Sequence, residues 1–331
     1  MRPPAASQRR SRCASALRVR LAARPSPRAD TTMQGLLRKA AVYEGTAPPQ
    51  RRLRPGLARL AQAQSHAYLR ASTAVQKKPR KRLVHDLRVV TRTILALRDL
   101  VRSIDPGAND AKLDDQLRRP FKACGKLRDL QVVRDRVRAL RTQYPEVEPL
   151  LAELKRRQQR ARTRLLQSLS REQPRRVCRK LGVLCAALGV ATADRAGRER
   201  AARSIKQELK RALLKVMTAR ENARAFDAES IHQARRVFKT YRYMVELAAS
   251  LGLPLRTFDV ESIRRFQTAL GEITDRATLL QAIDAYARKH TRKGRHLSRF
   301  RARIEKEHGT FIELYLPESQ RFFVGRSGVD A

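Results

Sequence analysis

Val84-His85-Asp86-Leu87-Arg88-Val89-Val90-Thr91-Arg92 and Ile231-His232-Gln233-Ala234-Arg235-Arg236-Val237-Phe238-Lys239 are two copies of one helical stripe. In each copy a histidine is followed by a base at i+3 and another at i+7. At about 100° per residue, these three side chains share one narrow arc of an α-helix. With His85 at 0°, Arg88 falls at about 300° and Arg92 at about 340°. Leu87, Val90, Ile94 and Leu97 lie between about 120° and 200°, on the opposite face. The second copy sets Ala234, Val237, Tyr241 and Met244 opposite His232, Arg235, Lys239 and Arg242, and Tyr243 comes round at about 20° to the cationic side. An apolar face to bury and a cationic face to present, made twice, predicts an all-α protein that offers positive charge to a partner.

The repeat extends beyond the stripes. Gly125 and Asp129 follow the first, and Gly271 and Asp275 follow the second, with the same spacing of four. The separation from histidine to glycine is 40 residues in one copy and 39 in the other. Two related halves therefore account for most of the chain. Gly125 is expected to allow close helix approach, because an unneeded glycine inside a helix costs about 1 kcal/mol. Asp129 and Asp275 would weaken anion binding if they faced a ligand. Each is instead expected to pair with an arginine of a neighbouring helix.

The V-H-x-x-R-V-x-x-R stretch, the I-H-x-x-R-x-x-x-K-x-x-R-Y-x-x-E stretch and the two G-x-x-x-D elements resemble the CHAD family, the conserved-histidine α-helical domain, over residues 55 to 315. That resemblance implies two four-helix bundles related by a pseudo-two-fold internal repeat, with basic helices lining a central groove or pore. It also implies binding of inorganic polyphosphate without catalysis. Carried onto this chain, the binding set is His85, Arg88, Arg92, His232, Arg235, Lys239, Arg242 and Tyr243. Lys81 joins it from the basic run Lys77, Lys78, Arg80, Lys81 and Arg82 just before the first histidine. The first copy departs from the pattern, since Thr93 and Leu95 stand where relatives often carry further bases.

Composition bounds the partner independently. The chain has 331 residues and a formal net charge of +43. Its first 50 residues hold ten Arg and Lys against Asp30 and Glu44, so +35 belongs to the remainder. Self-repulsion of that size destabilises a compact state unless anions sit on it, which points to nucleic acid, polyphosphate or an anionic surface. With no Trp and few aromatics, the cores must be built from Leu, Ala and Val. Cys13, Cys124, Cys178 and Cys185 show neither C-x-x-C nor metal-ligand spacing, so free thiols in a reducing cytoplasm are expected. No apolar run approaches the roughly 20 residues that cross a bilayer.

Domain organisation follows from the punctuation. Residues 1–50 form an Arg-rich extension and linker expected to be disordered, with Met33 as an alternative start and the linker running to Pro55. Residues 51–190 form the first helical half, 191–316 the second, and 317–331 a short fraying tail. Within these spans, Pro79 suits the first turn of the His85 helix, which should stop at Asp105-Pro106-Gly107. The next helices are expected over 110–141, 146–170, 174–189 and 198–222. Asp227 caps the His232 helix, which ends at Leu251-Gly252-Leu253-Pro254. The last two are expected over 260–288, bent or interrupted at Gly271, and 293–307.

No Ser-His-Asp set, P-loop, dinucleotide turn or carboxylate cluster for Mg²⁺ is present, and no E-x-E-x-K string marks an attached triphosphate-tunnel domain. The remaining histidines lack metal-ligand grouping. The expectation is a non-enzymatic, cofactor-free cytoplasmic protein, associated with polyphosphate granules, that binds polyphosphate through paired stripes. A long chain would engage both stripes and a short oligomer only one. The alternative is a basic helical protein that binds RNA or DNA. Against it, Phe121 and Phe226 stand isolated, without the basic-aromatic interleaving that stacks bases. An acidic protein partner or a granule-scaffold role also stays open.

Overall fold

The His85 helix is amphipathic in the way its sequence requires: Leu87, Ile94 and Leu97 are buried, together with Val84, Leu100 and Val101. A computed structural model describes residues 49–107, 110–223, 227–253, 260–290 and 296–324 of the chain. Among these residues the protein is all-α, with no strand. Its helices are α1 (Pro49–Lys77), α2 (Lys81–Ile104), α3 (Ala111–Ala139), α4 (Glu148–Glu172), α5 (Pro174–Ala191), α6 (Arg195–Glu221), α7 (Ala228–Ser250), α8 (Val260–Lys289) and α9 (Ser298–Val324).

Side-chain caps set several starts. Asp110 accepts from Leu113 N at 2.9 Å to open α3, and Asp194 accepts from Gly197 N at 2.7 Å to open α6. Asp227 accepts from Glu229 N and Ser230 N at the head of α7, as its sequence position predicts. That helix stops where Gly252 takes φ 72°, a conformation glycine adopts without steric cost.

Some boundaries differ from expectation. Helix α1 begins at Pro49, inside the expected linker, with the proline at a position where its missing N–H costs nothing. Pro79 sits before the N-cap of α2 rather than in its first turn. Helix α8 runs through Gly271 without interruption, and α9 passes Pro317 to reach Val324. Residues 1–48 lie outside the described residues.

Packing joins the two sequence halves. Helices α1, α2, α6 and α7 pack together, with α5 laid along α1. A second group shares a core of Val133, Val137, Leu150, Leu154, Leu279, Ile283, Phe300 and Ile304. Those side chains belong to α3, α4, α8 and α9, two helices from each side of residue 190. Phe300 is fully enclosed and its ring lies 5.4 Å from that of Tyr144. We expect Phe300→Ala to cost about 3–5 kcal/mol in denaturant unfolding, the range for emptying a packed aromatic site.

Because α2 leads into α3 and α7 into α8, the two groups are linked by paired histidine-helix and glycine-helix crossings. Arg136 of α3 bridges across to α8, donating to Glu272 at 2.9 Å and lying 3.6 Å from Asp275. The functional stripes therefore meet where α2, α3, α7 and α8 converge.

Candidate anion-binding site

Burial of the apolar faces of α2 and α7 turns their cationic faces toward each other and toward α3 and α8. Arg88 and Arg92 from α2 meet Arg235, Lys239 and Arg242 from α7 in one cluster. The guanidinium of Arg92 lies 6.0 Å from the ring centre of Tyr243, and that of Arg242 lies 4.8 Å from it. Tyr243 is itself buried, so it serves the cluster as an aromatic floor.

The electrostatics record this crowding. Lys239 is held well below the usual lysine range, first by burial and then by Arg235, Arg92 and Arg88, against a weaker pull from Asp275. Arg92 is lowered to about 10, chiefly by burial and also by Arg88, Arg235 and Arg242. Burial lowers Arg235 too, although Asp275 and Asp129 oppose the shift. Among the described residues, Arg235 pairs with Asp275 at 3.8 Å and Arg242 with Glu246 at 3.5 Å, while Arg88, Arg92 and Lys239 form no ion pair.

The repeated glycines have a specific job here. A Cβ on Gly125 would meet Nη1 of Arg88 at 2.7 Å, and one on Gly271 would meet Nη2 of Arg235 at 3.5 Å. Each half thus seats the arginine of its own H-x-x-R motif on the glycine of the following helix. The expected close helix approach is in fact room for a guanidinium.

The repeated aspartates diverge. Asp275 lies within ion-pair range of both Arg235 and Arg136, as expected for a carboxylate that fixes arginine rotamers. Asp129 keeps contact with solvent. Burial nevertheless raises its carboxyl above the usual range, against Arg88 and Arg235 and with help from Asp275. Asp129, Asp275, His232, Arg235 and Thr274 line a narrow cleft of about 30 Å³ beside the cluster.

His232 is exposed at the rim of this cleft, and its imidazole is held below the usual range by partial desolvation and by Arg235 and Arg236, against Glu229 and Asp129. His85 is half-buried, one turn before Arg88. Lys81 stands apart: it is exposed and pairs with Asp135 of α3. Thr93 is buried, its hydroxyl donating to the Val89 carbonyl at 3.1 Å, so that position faces packing and not the cluster.

Sequence inspection alone reads Phe121 as isolated, and the structure instead places it in the cluster. Its ring lies 5.0 Å from the Arg88 guanidinium and 5.1 Å from that of Arg92. The available signal was its i−4 spacing from Gly125, which puts both on one face of α3. Phe226 lies outside the described residues.

Cys124 is buried behind Gly125, which pushes its thiol up to about 12, and Cys178 and Cys185 are raised by burial as well. Cys13 lies outside the described residues. Among the described residues, no three His, Cys, Asp or Glu side chains are grouped to hold a metal ion, and no helix is long and apolar enough to cross a membrane.

The CHAD domain family model matches residues 60–284. The crystal structure of the CHAD domain from the plant Ricinus communis is similar at 17% identity, with a TM-score of 0.56, covering 83% of this chain and 88% of that one. At that identity the likeness is one of fold. Comparison with curated proteins finds no match.

Proposed function

The chain belongs to the CHAD domain family, and from that premise we propose that it binds inorganic polyphosphate, holding the polymer without cleaving it. The observation that carries this is the convergence of Arg88, Arg92, Arg235, Lys239 and Arg242, in which Lys239 is pushed well below its usual range first by burial and then by its cationic neighbours. A protein gains nothing in stability from such a cluster, so its use is to meet an anion. A linear polyphosphate brings closely spaced charges and only phosphate oxygens, which suit arginine forks and a lysine point charge.

Binding of single-stranded nucleic acid finds less support at this cluster. Its aromatic rings, Phe121 and Tyr243, already have guanidinium groups against them, and Tyr243 is buried. Base stacking needs an open ring face. The test is competition at fixed salt, setting long polyphosphate, single-stranded RNA and duplex DNA against one labelled polyphosphate. Polyphosphate should displace the label at the lowest charge concentration. Equal displacement per unit charge by all three would leave only generic polyanion binding.

Because both stripes feed one cluster, a short oligophosphate reaches Arg88, Arg92, Arg235 and Lys239 together. This replaces the expectation that a short oligomer engages one stripe. The two seating glycines supply a paired test. Gly125→Ala should leave stability unchanged or slightly higher, since the clash is with the far end of a flexible side chain. It should displace Arg88 and weaken polyphosphate binding about fivefold, the worth of one hydrogen bond. Gly271→Ala makes only an ordinary contact and should bind like wild type. Isothermal titration of the two variants checks both outcomes.

A further inference from the structure

The opposite face of α7 lines a second and larger cavity, of about 410 Å³, a volume typical of small-molecule sites. Helix α7 contributes Val237, Thr240, Tyr241 and Met244 to it, at about 80° to 180° on the helical wheel, whereas Arg235 and Lys239 fall at about 300° and 340°. The body of α7 therefore separates this cavity from the cationic cluster.

The rest of the wall carries five bases from three other helices, Arg98 and Arg102 of α2, Arg118 of α3, and Arg211 and Lys215 of α6, beside Ser103 and Ala212. Two carboxylates share the lining, and both are engaged. Asp99 accepts from Arg98 at 2.7 Å, and Glu208 accepts from Arg211 at 3.3 Å. Arg98 is only 3% exposed, also contacts Asp114, and has an Nε without a protein partner. Among the described residues, Arg118 and Lys215 form no ion pair, and both are exposed at the rim. The cavity thus combines an apolar wall from α7 with a surplus of cations opposite it.

We infer that this cavity is a second anion site, which takes a compact phosphorylated molecule with an apolar body, of the nucleoside di- or triphosphate class. The base lies against Val237 and Thr240, with Tyr241 and Met244 buried behind them, and the phosphates meet Arg118, Arg211 and Lys215. An inorganic phosphate chain would leave the apolar wall unused. The inference stands whatever occupies the cleft on the other face of α7.

The experiment is a fluorescence titration with N-methylanthraniloyl-ADP on three full-length proteins: wild type, a rim variant (Arg118→Ala, Arg211→Ala, Lys215→Ala) and a cleft variant (Arg235→Ala, Lys239→Met). The rim residues are exposed, so the helices should survive, which circular dichroism verifies. The expected result is saturable binding to wild type, a loss of about tenfold or more in the rim variant, and retention in the cleft variant. ADP should also displace the probe from wild type at lower concentration than inorganic tripolyphosphate. Any one of four results overturns the inference: no saturable binding, an unaffected rim variant, loss confined to the cleft variant, or equal displacement by tripolyphosphate.

Discussion

Replacing Arg235 with Ala and Lys239 with Met together should lower polyphosphate affinity about a hundredfold, as expected for two charge-assisted contacts. The protein should nevertheless stay folded. Lys239 lies among Arg235, Arg92 and Arg88 and is destabilised by them, so an apolar side chain of similar length relieves repulsion. The thermal midpoint should rise by about 1–2 °C, the scale of 1 kcal/mol in a protein of this size. Loss of Arg235 strands no carboxylate, because Asp275 keeps Arg136 within 3.6 Å. Arg242 is left intact because it pairs with Glu246, and both are largely buried. Opposite signs for affinity and stability distinguish a binding group from a structural one. A folded variant that binds polyphosphate as tightly as wild type would remove α7 from the site.

Binding should take up a proton, and Lys239 should supply most of the effect. An anion in the cleft offsets the neighbouring charges and restores the ammonium, so affinity should fall as pH rises through the depressed Lys239 range. Below that range the lysine is already charged in the free protein, and this contribution is flat. Folding of the free protein responds in the opposite sense. Over the interval from the depressed value up to the ordinary lysine value, the unfolded chain binds more protons than the folded one, so this group makes stability increase with pH. Lys239→Met should remove both slopes. His232, also held low, should retain its own step in that variant. Calorimetry in buffers of different ionisation enthalpy counts the protons directly. An unchanged slope in Lys239→Met would show that another group carries the linkage.

The helical class, the two stripes and the shared glycine-aspartate spacing were legible because each depends on local periodicity. A base at i+3 and i+7 from a histidine lies on one face wherever the helix packs, and Asp227 caps its helix through backbone groups two and three residues away. The identities of Arg88, Arg92, Arg235, Lys239 and Arg242 as one cationic face follow from the same geometry. Less legible were Pro49 and Pro317, which lie within helices although proline is usually read as punctuation.

What only the tertiary structure decided is everything that depends on contacts between distant segments. No local rule shows that α3 and α4 would share a core with α8 and α9, or that Arg136 would reach Glu272 across 136 residues. Nor does one show that the two stripes would merge, with Phe121 and Tyr243 against their guanidiniums, or that Gly125 makes room for Arg88 rather than for a helix. Side-chain periodicity fixes a direction from the helix axis and carries no information on what lies in that direction. The sequence determined which residues would present positive charge, and the fold determined that they would present it to the same place.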